Sequence, residues 1–88
     1  MEKFAVEIIT PESIFLKDYV EMIVLPGVEG EFAILKNHVP FISELKPGFI
    51  TIYEGNRIVK TFEVKGGFAE VTHDSCSIVT ESITCVEP

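Results

Sequence analysis

The sequence predicts an all-β domain of short strands, on three grounds. β-Branched residues dominate the apolar set: 11 Ile and 10 Val stand against 4 Leu and 3 Ala, with 6 Thr beside them. Side chains branched at Cβ lose rotamer freedom in a helix and pack well on a pleated surface. Apolar residues alternate with a period of two in several runs, and no segment sustains the i, i+3, i+4, i+7 spacing of an amphipathic helix. Gly, Pro, Asn and Asp punctuate the chain at roughly 8–12-residue intervals, the rhythm of a sandwich or barrel.

Taken in order, Phe4, Val6 and Ile8 alternate with Ala5, Glu7 and Ile9, and Pro11 ends this first strand. Ser13 to Leu25 is rich in Ile, Phe, Tyr and Val, and Lys17-Asp18 is expected to divide it into two strands. Pro26 to Gly30 reads as a turn-rich loop, Phe32 to Leu35 as a short strand, and Lys36 to Pro40 as a second loop. Phe41 to Leu45 is apolar and Pro47-Gly48 is a turn. Phe49–Tyr53 and Ile58–Val64 flank Glu54-Gly55-Asn56-Arg57, where glycine takes the positive φ that a tight hairpin needs. After Gly66-Gly67, Phe68–Thr72 and Cys76–Thr80 flank His73-Asp74-Ser75 as another hairpin, and Ile83–Val86 is a last short strand. The expected core is Phe4, Val6, Ile8, Ile50, Ile52, Phe62, Val64, Ala69, Val71, Cys76 and Ile78. The parity of Val20 to Leu25 stays ambiguous, because both of its faces are apolar.

The 88 residues form one domain, 1–88, with room for one core. At 47% hydrophobic and 24% charged the chain has ample apolar surface to offset conformational entropy. A net charge of −7 disfavours DNA, RNA and anionic lipid, all of which require clustered Lys and Arg. No base follows Lys65, whereas Glu70, Asp74, Glu81 and Glu87 do. Cys76 and Cys85 lack metal-type spacing. The opening residues lack the apolar run of a secretory signal, and no stretch approaches the ~20 apolar residues of a membrane span. Both thiols are therefore expected to be free in a reducing, cytoplasmic setting, with Cys76 packed as a small core residue.

A search for chemistry returns little. His38 and His73 are the only histidines, and their spacing indicates no convergence with a nucleophile or carboxylate. Glu29 and Glu31 flank Gly30 at a Gly-rich turn, where exposed acids would meet a cation or a basic partner. No calcium loop, P-loop, G-x-S-x-G or HExxH pattern occurs. No catalytic residue, cofactor or metal is expected, and the residues alone indicate an acidic, all-β, non-catalytic module.

Three segments carry a resemblance. Pro26-Gly27-Val28-Glu29-Gly30-Glu31-Phe32-Ala33-Ile34-Leu35-Lys36-Asn37-His38-Val39-Pro40 resembles the signature region of the epsilon subunits of F-type ATP synthases, with Ala33 in place of the usual glycine. Leu45-Lys46-Pro47-Gly48 is similar to that family's Leu/Ile-Lys-Pro-Gly turn, and Gly66-Gly67-Phe68-Ala69-Glu70-Val71 to its Gly-Gly-Phe-x-Glu-Val hairpin start. The three lie in the family's order and register, and the opening Phe4–Thr10 with Pro11-Glu12 is also similar.

The resemblance implies a flattened antiparallel β-sandwich of about ten short strands in two sheets. It implies a non-catalytic part of the central stalk, bound to the gamma subunit and touching the ring of c subunits, and so coupling proton flow to ATP synthesis. Carried over by position, Glu29, Gly30 and Glu31 would face the c ring, and His38, Phe41 and Ile42 would lie near gamma. Its place would be peripheral, at the cytoplasmic face of the bacterial plasma (inner) membrane or the organellar equivalent, held there through the complex without bilayer insertion. Most members continue into a C-terminal helix pair that can inhibit ATP hydrolysis and in some binds ATP. This sequence stops at Pro88, near where that pair would begin, so neither property carries over. The alternative is a stand-alone sandwich that binds carbohydrate or peptide. With no Trp and only Tyr19 and Tyr53, stacking platforms for sugars are few. A cupin-type enzyme would need a His-rich metal set, which two histidines do not supply.

Overall fold

The computed structural model describes residues 2–86, and its ordered elements are all strands. They are β1 (Phe4–Ile9), β2 (Ile14–Val20), β3 (Met22–Gly27), β4 (Gly30–Ile34), β5 (Phe41–Leu45), β6 (Gly48–Glu54), β7 (Arg57–Val64), β8 (Gly67–Val71), β9 (Ser75–Val79) and β10 (Ile83–Val86). Their hydrogen-bonded order is β10-β7-β6-β3-β5-β8-β9-β1-β2, with β4 on the free side of β3. A single residue pair, Gly27 with Leu45, joins β3 to β5. The continuous sheet therefore divides at that weak seam into two five-stranded layers, β10-β7-β6-β3-β4 and β5-β8-β9-β1-β2, folded face to face as the sandwich reading requires.

The seam has a local cause. β3 and β6 pair from Met22 to Val24, and the ladder then meets Pro26, which has no N–H to donate. β5 takes over: the Lys46 N–H donates to the Pro26 carbonyl at 2.9 Å and the Val28 N–H to the Glu44 carbonyl at 3.0 Å. The pairings are antiparallel with one exception. β1 lies parallel to β9, from Ala5 beside Ser75 to Ile9 beside Val79. The exception follows from a long-range return, which places the first strand between β2 and β9.

All eleven expected core residues are buried, and Val20, Ile23, Leu25, Ile34 and Leu45 join them. These five include the stretch whose parity was ambiguous. Val20, Ile23 and Leu25 point inward from two different strands, because the chain changes layer between them.

Two boundaries differ from the sequence expectation by more than a residue. The break within Ser13–Leu25 falls at Glu21, not at Lys17-Asp18. β2 is an edge strand, where charged residues are tolerated, and Asp18 meets Lys60 across the sandwich at 3.6 Å. Glu21 sits at the corner where the chain crosses between layers, and its carboxylate accepts the Gly55 N–H at 2.7 Å. The loop expected over Pro26–Gly30 is tighter: β3 runs through Pro26 and Gly27, and the turn is Val28-Glu29. At the start of β8, Gly67 has φ of 136°, and a Cβ there would overlap the Val79 carbonyl oxygen. Only glycine allows this close approach.

Candidate functional site

The β3–β4 hairpin presents Val28, Glu29, Gly30 and Glu31 to solvent at one end of the sandwich. Gly30 has φ of 128° with open space around its Cα, so the tip turns without crowding. Among the described residues the ion pairs are Lys3–Glu54 and Lys60–Asp18, and neither Glu29 nor Glu31 takes part. The tip thus carries two carboxylates free to meet a basic surface. Its base is held to β5 by the hydrogen bonds of Pro26 and Val28.

Behind the tip lies an aromatic series. The rings of Phe32 and Phe41 meet edge-on with centroids 5.2 Å apart, and His38 lies 5.2 Å from Phe41 at a 49° tilt. His38 Nδ1 is 2.9 Å from the Val39 carbonyl oxygen, a separation suited to N–H donation by the ring. The loop that carries it is pinned by the Asn37 N–H, which donates to the His73 carbonyl at 2.7 Å, with Asn37 at φ of 67°. The two histidine-bearing loops therefore abut, which their separation in sequence did not indicate. Among the described residues no group of three or more His, Cys, Asp or Glu converges as a metal site would require.

The sequence grouped His38, Phe41 and Ile42. The structure brings the first two together and turns Ile42, 70% exposed, to the opposite face of β5 beside Glu70. Consecutive strand residues point to opposite faces, so Phe41 and Ile42, neighbours on β5, do not share one patch.

On that outer face lies a feature the sequence reading did not single out. Phe68 pairs with Val79, Val79 with Ile9, and Ile9 with Ile14, giving an apolar row across β8, β9, β1 and β2. Phe68, Val79 and Ile14 are each more than half exposed. A groove of about 520 Å³ runs past the row, lined by Ile9, Pro11, Lys65, Gly66, Phe68 and Val79. The available signal was Phe68 and Val79 standing apolar at outward parity on strands whose inward residues were already assigned.

Comparison with known proteins identifies the architecture. Residues 3–85 match the family model described as ATP synthase, Delta/Epsilon chain, beta-sandwich domain. The chain belongs to this ATP synthase delta/epsilon family. Among curated relatives, the ATP synthase epsilon chain of Chelativorans sp. (strain BNC1) is 39% identical over 84 residues, 96% of this chain and 62% of the relative. The ATP synthase epsilon chain of Rhodospirillum rubrum is 39% identical over 75 residues, 85% of this chain and 56% of the relative. The delta/epsilon-type chain described here therefore spans a little over half the length of the relatives it matches. A cryo-EM structure of the Euglena gracilis mitochondrial ATP synthase that includes its c-ring holds a chain superposing with a TM-score of 0.86 at 25% identity, over 97% of this chain and 54% of that one. A chain in the central stalk and c-ring structure of the Tetrahymena thermophila mitochondrial ATP synthase shares the fold, with a TM-score of 0.77 at 22% identity over 94% of this chain and 66% of that one. Within the delta/epsilon family fold, the acidic hairpin and the aromatic series occupy one end of the sandwich, and the apolar row lies on an outer face. No helix of the described residues is long and apolar enough to cross a membrane.

Proposed function

We propose that this chain is a non-catalytic part of the central stalk of a proton-translocating ATP synthase, bound to the gamma subunit and touching the c ring. The observation that carries the proposal is the match to the delta/epsilon β-sandwich model from residue 3 to residue 85, which includes every strand save the last residue of β10. The Euglena and Tetrahymena structures, which contain a c-ring or a central stalk with c-ring, lend it support. In this reading the chain is held at the membrane through the complex, at the cytoplasmic face of a bacterial plasma membrane or its organellar equivalent.

The role asked of the chain is mechanical. Proton flow turns the ring, the ring carries gamma and this subunit with it, and gamma's rotation acts on catalytic sites elsewhere. A rotor part must resist shear, and two layers packed at interior density around sixteen buried apolar side chains do so. Glu29 and Glu31, at an exposed tip with no ion-pair partner among the described residues, suit a ring surface with basic loops. His38 and Phe41 would lie toward gamma, and Ile42 would reach it only from the outer face. A stable interface buries about 1,000 Å² in total, or roughly 500 Å² from each partner. That is about a tenth of this chain's 5345 Å² surface, and the exposed apolar row offers area of the kind required.

The test is co-expression with the cognate gamma subunit, followed by size-exclusion chromatography. Stoichiometric co-elution that survives dilution is the expected result. Elution of the chain alone beside folded, competent gamma overturns the stalk reading. The ring contact is read separately, as salt-sensitive binding to isolated c ring that weakens in the double variant Glu29→Gln, Glu31→Gln.

A further inference from the structure

We infer that Phe32 is the positioning residue that sets the direction of the Glu29–Glu31 hairpin relative to the rim formed by His38 and Phe41. The inference rests on the stalk reading for its purpose and on this chain's own geometry for its substance.

β4 carries Glu31 and has one hydrogen-bonding neighbour, β3. A strand held by one ladder is a flap, and its angle to the rest of the sheet is soft unless side chains fix it. Two residues of β4 point inward, Ile34 at its far end and Phe32 beside the acidic tip, where it pairs with Leu25. The Phe32 ring lies over the backbone of Gly27. A Cβ on Gly27 would come within 2.7 Å of Phe32 Cε1 and 2.9 Å of Cδ1, so glycine alone leaves space for the ring in this position. Having crossed β3 there, the ring meets the edge of Phe41 on β5, which pairs with β3 on its other side at the same residue, Gly27. Phe41 in turn contacts His38. The base of the hairpin is held to β5 by the backbone hydrogen bonds of Pro26 and Val28, and the Phe32–Phe41 contact adds a side-chain tie to the second layer further along β4. The tip and the His38–Phe41 rim then move as one body, which a part transmitting torque between two partners requires.

The experiment measures the hairpin directly, in the full-length subunit. Spin labels are placed at Glu29→Cys on the tip and Glu63→Cys on the outer face of β7, with Cys85→Ser removing the exposed native thiol, and the distance distribution is recorded. The unmodified framework is expected to give a narrow distribution. Phe32→Ala is expected to widen it about twofold, because an untethered flap opens locally before the core does. Phe32→Tyr, which keeps the ring, is expected to restore the narrow distribution. Ile83→Ala, which trims a side chain packed on the core away from the hairpin, controls for general loss of stability and is expected to stay narrow. If Phe32→Ala fails to fold, Phe32→Leu takes its place, keeping apolar volume without the ring, with the same expectation. A narrow distribution in folded Phe32→Ala, or equal widening in Ile83→Ala, overturns the inference. The readout needs neither gamma nor the ring, so failure of the stalk reading appears only in the binding assays.

Discussion

Phe15 of β2 and Phe62 of β7 meet edge-on, with ring centroids 5.5 Å apart and planes at 83°. The two strands lie near opposite ends of the hydrogen-bonded order, so the contact closes the sandwich on the side away from the β3–β5 seam. A bulge makes it. Ile8 pairs with Leu16 and Ile9 with Ile14, which leaves Phe15 as the extra residue, and the irregularity re-aims its ring inward.

Phe15→Ala should therefore cost more than an ordinary half-exposed position. The loss is expected to be about 1–2 kcal/mol, from lost apolar burial and the edge-to-face contact. In a domain of this size that lowers Tm by about 4–15 °C. Thermal unfolding followed by circular dichroism reads it. A fall no larger than that of an exposed outer-face variant such as Val79→Ala would show that the closing contact contributes nothing.

Thr80 is buried, and its hydroxyl is placed 2.7 Å from the Gly66 carbonyl oxygen and 3.2 Å from that of Ser82. Thr80→Val keeps the shape and leaves the Gly66 carbonyl without this donor. A loss of about 1–3 kcal/mol in denaturant unfolding is expected, the cost of stranding a buried polar group. Thr80→Ser, which keeps the hydroxyl, should recover most of it.

Glycine matters unequally at two turns. Gly67→Ala places a Cβ into the Val79 carbonyl at a φ of 136°, and should cost about 2–4 kcal/mol or prevent folding. Gly55→Ala meets no atom at its φ of 60°, so about 1 kcal/mol of backbone strain is the expected loss. Chemical denaturation of the pair compares them, and equal costs would mean that steric overlap at Gly67 relaxes freely.

Burial pushes the Cys76 thiol up to about 12 from its ordinary value of 9.0. In the unfolded chain the thiol ionises above about pH 9, while in the folded chain it stays protonated. The unfolded state then binds fewer protons, so stability falls as pH rises. The contribution is whole below about pH 9 and is lost progressively toward pH 12. Cys76→Ala should show a shallower decline over that range in denaturant titrations. At neutral pH a thiol reagent should modify Cys85, which is exposed, and reach Cys76 only on unfolding.

The sequence by itself determined the strands and much of the core. Phe4, Val6 and Ile8 face inward because a period of two permits one buried face, and the Gly55-Asn56 turn follows from a glycine between two apolar runs. Composition indicated an all-β module, and three segments in order and register, residues 26–40, 45–48 and 66–71, made the family legible before any contact was known. Tertiary structure alone decided the rest, because it depends on pairs distant in the chain. The break falls at Glu21, whose carboxylate accepts the N–H of Gly55 in the β6–β7 turn, a partner no local pattern reveals. Phe15 turns inward through a bulge that only the β1–β2 register creates, and Ile42 parts from Phe41 because a strand has two faces. The tether from Phe32 to Phe41 exists because Gly27, between them in space, has no side chain to block it. Periodicity sets which way a side chain points along its own strand, whereas its neighbours are set by how the strands are ordered and folded over one another.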